Sequence, residues 1–268
     1  MTHTQNYQVA VINLDDLWDK AGNLPSETMQ MLGNARKAGN DLVLSSGRIW
    51  SGFEYEARQL DLLYMPSVSS GALLRKKTAD EQDVIAYKPV IQKYAFALKD
   101  YAKGQNANKK MMTALFFMFD PKTNHEIILA QEPINIVGNY DRKTYSRLTD
   151  TDVEVDEIEL KNGRQVSQIM LLSDQEKWIN IFQNEIKANG YQIKLKTGKL
   201  GDGELFYVSI TSDNDLLTAV AKYLNIPKKE IWFEKRKILP TGWKGRQSTV
   251  DLEAVVKQNQ YPMIEGHA

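Results

Sequence analysis

Two short clusters carry side chains able to do chemistry. The first, Asn13-Leu14-Asp15-Asp16, follows directly on the apolar run Val9-Ala-Val-Ile12. Closely spaced carboxylates can exchange protons with a substrate or hold a hard cation through oxygen. The second, Ser45-Ser46-Gly47-Arg48, follows the apolar run of Asp41-Leu-Val-Leu44. A hydroxyl beside a glycine offers an O–H and accessible backbone N–H groups, a combination suited to an anionic oxygen. A plainer alternative stays open for the first cluster: a core strand followed by a solvated Asn/Asp turn.

Other chemistry is closed off by composition. Cysteine is absent, which excludes disulfides, thiolate nucleophiles and cysteine-ligated zinc. His3, His125 and His267 have no partners at ligand spacing, which argues against a histidine metal site or a Ser-His-Asp triad. Lysine plus arginine and aspartate plus glutamate are both 34, so the formal charge is zero and no long-range field favours nucleic acid or an anionic membrane. The opening Met1-Thr-His-Thr-Gln-Asn6 is polar and no stretch has the length of a membrane span, so a cytoplasmic protein is expected.

The elements that must hold the two clusters follow from periodicity. Residues Val9 to Ile12 are small or β-branched without a polar break, as in a central parallel strand covered on both faces. A helix is expected from Ser26, which can cap it, with Thr28, Met31, Leu32, Ala35 and Ala38 on one side and Gly39 ending it. Strand, helix and second strand then form a βαβ unit that places both clusters at the same sheet edge. Beyond Arg48, the spacing of Ile49, Phe53, Ala57 and Leu60 predicts a second helix. Tyr64 to Leu74 and Val84 to Tyr87 read as a strand and a hairpin.

From about Pro89 to Thr197 the texture changes. Helices at Val90–Ala102 and around Trp178, Ile181, Phe182 and Ile186 alternate with strand-like runs at Ala114–Phe119, Glu126–Ala130, Val153–Leu160 and Val166–Leu172. This reads as an inserted α+β domain, with Phe116, Phe117, Phe119, Trp178 and Phe182 as core rather than the lining of a cavity. Leu205–Ile210 is read as the return to the first domain, followed by a helix from Ser212 through Leu224 and a strand ending at Phe233. A short helix is expected near Val250–Lys257.

Taken together, Asn13-Leu-Asp-Asp-Leu17, Ser46-Gly-Arg48, Ser70-Gly-Ala72 and the Asn225-Ile-Pro turn resemble the haloacid dehalogenase (HAD) superfamily, Cof-type phosphatases. The resemblance implies an α/β fold: a Rossmannoid parallel-sheet core over residues 1–86 and 199–268 with an α+β cap over 87–198. It aligns the family's nucleophilic aspartate with Asn13, its acid/base aspartate with Asp15, and its phosphate-binding hydroxyl and amide with Ser46 and Gly47. The family's lysine falls at Asp213 and its metal-binding Gly-Asp pair at Glu234-Lys235. The metal positions are thus Asn13, Asp15 and Lys235. Gly201-Asp-Gly-Glu204 looks like that acidic pair but lies between strand-like runs and is read as a hairpin turn.

An amide at 13 cannot form an acyl-phosphate, and a lysine at 235 would repel a cation. The expectation is therefore a HAD-like protein inactive or severely impaired as a phosphatase, acting through a small phosphorylated ligand or a protein partner. The alternative is a weak or altered phosphohydrolase for small phosphate esters. No cofactor is expected, with Mg²⁺ required only if turnover remains.

Overall fold

The computed structural model describes residues 9–19, 23–77, 82–107, 112–130, 164–188, 193–200, 205–212 and 216–233. It contains two sheets. The first has six strands in the order β11-β1-β2-β3-β4-β5. Strand β1 (Val9–Asn13) lies between β2 (Asp41–Ser45) and β11 (Ile231–Phe233) and is parallel to both. β3 (Ser67–Ser69) continues the parallel series, and β4 (Leu73–Lys77) and β5 (Gln82–Tyr87) close the sheet as antiparallel hairpins.

The physical reason for the central place of β1 is its sequence. Val9, Ala10, Val11 and Ile12 are all at most 3% exposed, with Ala10 and Ile12 in the apolar cluster on one face and Val9 and Val11 in that on the other. Helix α1 (Ser26–Lys37) buries Thr28, Met31, Leu32 and Ala35. It ends where Gly39 takes the left-handed φ of +86° and Asn40 Nδ2 donates to the carbonyl of Ala35. Ser26 does not cap it: the N-cap is Pro25, whose apolar ring makes no capping hydrogen bond, and Ser26 is already helical. The apolar residues after Arg48 are buried as expected, but on a 3-10 turn (Trp50–Gly52) and a shorter helix α2 (Glu54–Gln59).

The second sheet is antiparallel throughout, in the order β7-β6-β8-β10-β9. Its strands are β6 (Met112–Asp120), β7 (His125–Ala130), β8 (Gln165–Ser173), β9 (Ile193–Leu200) and β10 (Leu205–Ser212). Helices α3 (Gln92–Ala107) and α4 (Glu176–Ala188) cover one face, where Phe116, Phe182 and the partly buried Trp178 pack together. Phe117 and Phe119 are buried on the opposite face. Val153–Leu160 and the Val250–Lys257 helix lie outside the described residues.

One boundary differs from the expected one. β10 does not return the chain to the first sheet at residue 199; it pairs along its length with β8 and β9. Its pattern explains why. Phe206, Val208 and Ile210 alternate with Tyr207, Ser209 and Thr211, the signature of an antiparallel strand with one apolar face, unlike the unbroken run of β1. The return comes with α5 (Leu216–Leu224), which buries Val220 and Ala221 against the first sheet and leads into β11. Gly201–Glu204 lies outside the described residues; the strands it joins pair with Leu200 opposite Leu205. No helix among the described residues is long and apolar enough to cross a membrane.

Candidate functional site

The parallel register brings the two sequence clusters together, since Asn13 of β1 lies opposite Ser45 of β2. Asn13 ends its strand and caps the 3-10 turn Leu14–Asp16. Its amide is engaged at both ends: Oδ1 accepts from the backbone N–H of Asp15 at 3.3 Å, and Nδ2 donates to Asp16 Oδ2 at 2.6 Å. The Asp15 carboxylate turns to the next strand. Oδ1 accepts from Ser46 Oγ at 2.6 Å, and the Gly47 N–H reaches Oδ1 at 3.1 Å and Oδ2 at 2.9 Å. Glycine eases this approach, because a Cβ at position 47 would stand 3.2 Å from Asp15 Oδ2 and would press the carboxylate back by a few tenths of an ångström. The donors expected to hold an external anion therefore hold a carboxylate of the chain itself.

Behind this cradle, Ser46 Oγ accepts from the Arg48 N–H at 3.0 Å. The Arg48 guanidinium lies 3.7 Å from the centre of the Trp18 ring, a cation–π contact that carries the charged side chain into the core. Ser70 and Gly71, between β3 and β4, adopt left-handed φ values of +50° and +59°. Their N–H groups donate to the carbonyls of Arg48 and Ser46, so the two loops are joined backbone to backbone.

The second sheet supplies groups that motif reading did not identify. The amide of Gln168 on β8, oriented to satisfy its neighbours, donates to the carbonyls of Ser70 and Gly47 and accepts from Ser209 Oγ of β10. Lys196 Nζ of β9 lies 3.9 Å from Asp15 Oδ2, both side chains being partly solvated. Tyr207 of β10 crosses Gly198, its register partner on β9; a Cβ there would come within 2.7 Å of the ring. The signal for these residues is the period-two alternation of β9 and β10, which puts Lys196, Tyr207 and Ser209 on the face away from the helices.

Electrostatics follow from this enclosure. Asp16 reaches solvent, yet withdrawal of water between the sheets raises its carboxyl above the ordinary range; Lys196 opposes the shift, Asp15 adds to it, and the Asn13 hydrogen bond opposes it. Burial likewise raises the Tyr207 phenol, against the influence of Lys196 and with that of Asp15 and Asp16, so it remains a neutral donor. Asp213, Glu234 and Lys235 lie outside the described residues.

The sequence pattern of the haloacid dehalogenase-like hydrolases matches residues 11–233. The chain belongs to that family. Among solved structures, it resembles a haloacid dehalogenase-like hydrolase from B. subtilis at 16% identity, with a TM-score of 0.61 over 84% of this chain and 82% of that one. A HAD/COF-like hydrolase from Plasmodium vivax is similar at 16% identity, with a TM-score of 0.60 over 86% and 78%. A haloacid dehalogenase-like hydrolase from Bacteroides thetaiotaomicron follows at 16% identity and a TM-score of 0.57, over 85% and 80%. These likenesses show the fold, a Rossmannoid HAD core carrying a second domain. Among curated proteins none matches.

HAD hydrolases typically use Mg²⁺. The described residues do not fit that ion. Both Asp15 oxygens already accept hydrogen bonds, position 13 is a neutral amide tied to Asp16, and an ammonium rather than a third carboxylate stands beside Asp15. No group of three or more histidine, aspartate or glutamate side chains able to hold a metal occurs among the described residues.

Proposed function

We propose that this HAD-family protein is silent or severely impaired as a phosphatase and acts by binding a small anionic, phosphorylated ligand or a protein partner at the cleft. The observation that carries this reading is the state of the β1 tip. Where the family pattern has a nucleophilic aspartate, Asn13 spends its amide on Asp15 and Asp16, and the Asp15 carboxylate is held by Ser46 and Gly47. Attack on phosphorus needs a free carboxylate, and protonation of a leaving group needs an acid aimed at substrate. Neither group is in that condition.

A binding role uses the same groups differently. A phosphoryl group would displace the Asp15 carboxylate from the Ser46 hydroxyl and the Gly47 N–H, with the Lys196 ammonium and the neutral Tyr207 phenol beside it as further donors. The test is phosphate release by the full chain with Mg²⁺ across sugar phosphates, nucleotides and pyridoxal phosphate, run beside calorimetric binding of the same compounds. Binding without release is expected. Robust release would establish the second reading, a phosphohydrolase of altered mechanism, which the two-domain enclosure of Asp15 and Ser46 favours.

A further inference from the structure

Glu126, near the start of β7, is a heavily engaged carboxylate among the described residues. It pairs with Arg75 of β4 at 2.5 Å, and both side chains are only 3% exposed. It also accepts from the Trp50 N–H at 2.9 Å, from Ser69 Oγ at 3.0 Å and from Ser70 Oγ at 2.6 Å. Arg75 returns a second bond to the Asn124 carbonyl, just before β7, at 3.1 Å. One carboxylate of the second sheet therefore collects donors from three separate stretches of the first.

Those stretches are the ones that shape the cleft. Trp50 closes the loop that begins with Ser46 and Gly47. Ser70 sits in a left-handed conformation that a non-glycine residue keeps only when its surroundings hold it. Here they do: Ser70 N–H donates to Arg48, its carbonyl accepts from Gln168, and its hydroxyl donates to Glu126. The other ties at the cleft carry less charge or more water: Gln168 reaches the Ser70 and Gly47 carbonyls through a neutral amide, and the Lys196–Asp15 pair is long and half solvated, which makes it a weak determinant of where the second sheet sits.

We propose that Glu126 is the positioning residue of the cleft: it fixes the second sheet above the β1 tip and holds the 46–50 and 69–71 loops in the arrangement that presents Ser46 and Gly47. This holds whether or not the cleft turns over a substrate, so it stands apart from the functional reading above.

The test measures domain placement in the full chain rather than stability. Because the protein has no cysteine, spin labels can be placed through Tyr55→Cys on α2 and Ile181→Cys on α4, both exposed side chains, one on each domain. The unmodified site should give one narrow label-to-label distance distribution. Glu126→Gln, which keeps the size but not the charge, should add a longer-distance population while circular dichroism still reports a folded chain. Ser70→Gly removes one donor at a φ that glycine adopts freely, so it should fold even if the Glu126 variant does not, and should broaden the distribution in the same direction. Distributions identical to the parent in both folded variants, or a parent that already samples several distances, would overturn the proposal.

Discussion

The two sheets place their chemistry in opposite ways. In the first, the important groups are consecutive residues at strand tips: Asn13 to Asp16 after β1 and Ser46 to Arg48 after β2, adjacent because the strands are parallel and in register. In the second, they are single residues on one face of the sheet, gathered from four different strands between residues 125 and 212: Glu126, Gln168, Lys196 and Tyr207. A parallel sheet buries both faces and has only its edge to offer, whereas an antiparallel sheet covered by helices on one side can offer its whole other face. The first arrangement leaves a motif in the sequence. The second leaves only a period.

The largest effect expected from probing the first sheet is one that fails to appear. Asn13→Asp introduces a carboxylate at the position the proposed reading gives to the nucleophile, but the 2.6 Å contact with Asp16 then sets two carboxylates against each other, and one of them will take up a proton. Phosphate release by this variant should stay about a thousandfold or more below the roughly 1–10³ s⁻¹ of ordinary enzymes. Adding Asp213→Lys and Lys235→Asp should be needed before turnover appears; robust turnover by the single variant would show that the other two positions were wrongly assigned.

A test of the second sheet comes next in size. Glu126→Ala leaves the Arg75 guanidinium buried without its partner and should cost about 3–5 kcal/mol in urea unfolding. Arg75→Met combined with Glu126→Leu should recover only the part of that loss that comes from the uncompensated guanidinium, since the Trp50 N–H and the Ser69 and Ser70 hydroxyls still lack their acceptor. If the single variant loses less than the double, the burial of this pair has been misjudged.

A smaller effect tests the packing of Tyr207 across Gly198. Gly198→Ala drives a methyl into the ring and should destabilise by about 1 kcal/mol, the low end for overpacking, because the tip of the tyrosine can yield. The penalty should vanish in a Tyr207→Ala background; if it persists, the strain lies in the backbone of β9 instead.

The smallest expected effect concerns pH. The folded-state pKa of Asp16 lies above its ordinary value of 3.8, so the folded chain binds this proton more tightly than the unfolded one. Its charged form therefore works against folding, and that cost grows as pH rises from the unfolded pKa through the folded one. Asp16→Asn should be slightly more stable than the parent at neutral pH and converge with it in acid. A variant that is less stable at neutral pH would mean that the hydrogen bond from Asn13 outweighs the desolvation.

Much of this could be read beforehand at particular residues. Val9 to Ile12 announced a central strand because no polar side chain interrupts it, and the strand lies between two parallel neighbours. Ile49, Phe53, Ala57 and Leu60 were legible as buried, though not as a turn followed by a short helix. Leu205 to Ile210 has the hydrophobicity of a core strand, but its alternation places it in the antiparallel sheet, between β8 and β9. The pairing of Arg75 with Glu126 left no trace, since nothing in a lone arginine and a lone glutamate 51 positions apart says that they meet.

By itself, the sequence determined the family, the parallel core and the identity of the groups at the β1 and β2 tips, because each depends on residues adjacent in the chain or on local periodicity. Only the tertiary structure decided what those groups do to one another. That Asp15 fills the Ser46–Gly47 cradle, that Asn13 is bound to Asp16, and that Glu126 gathers donors from three segments are facts of distance, and distances across a sheet are set by strand pairing and packing rather than by any single stretch of chain.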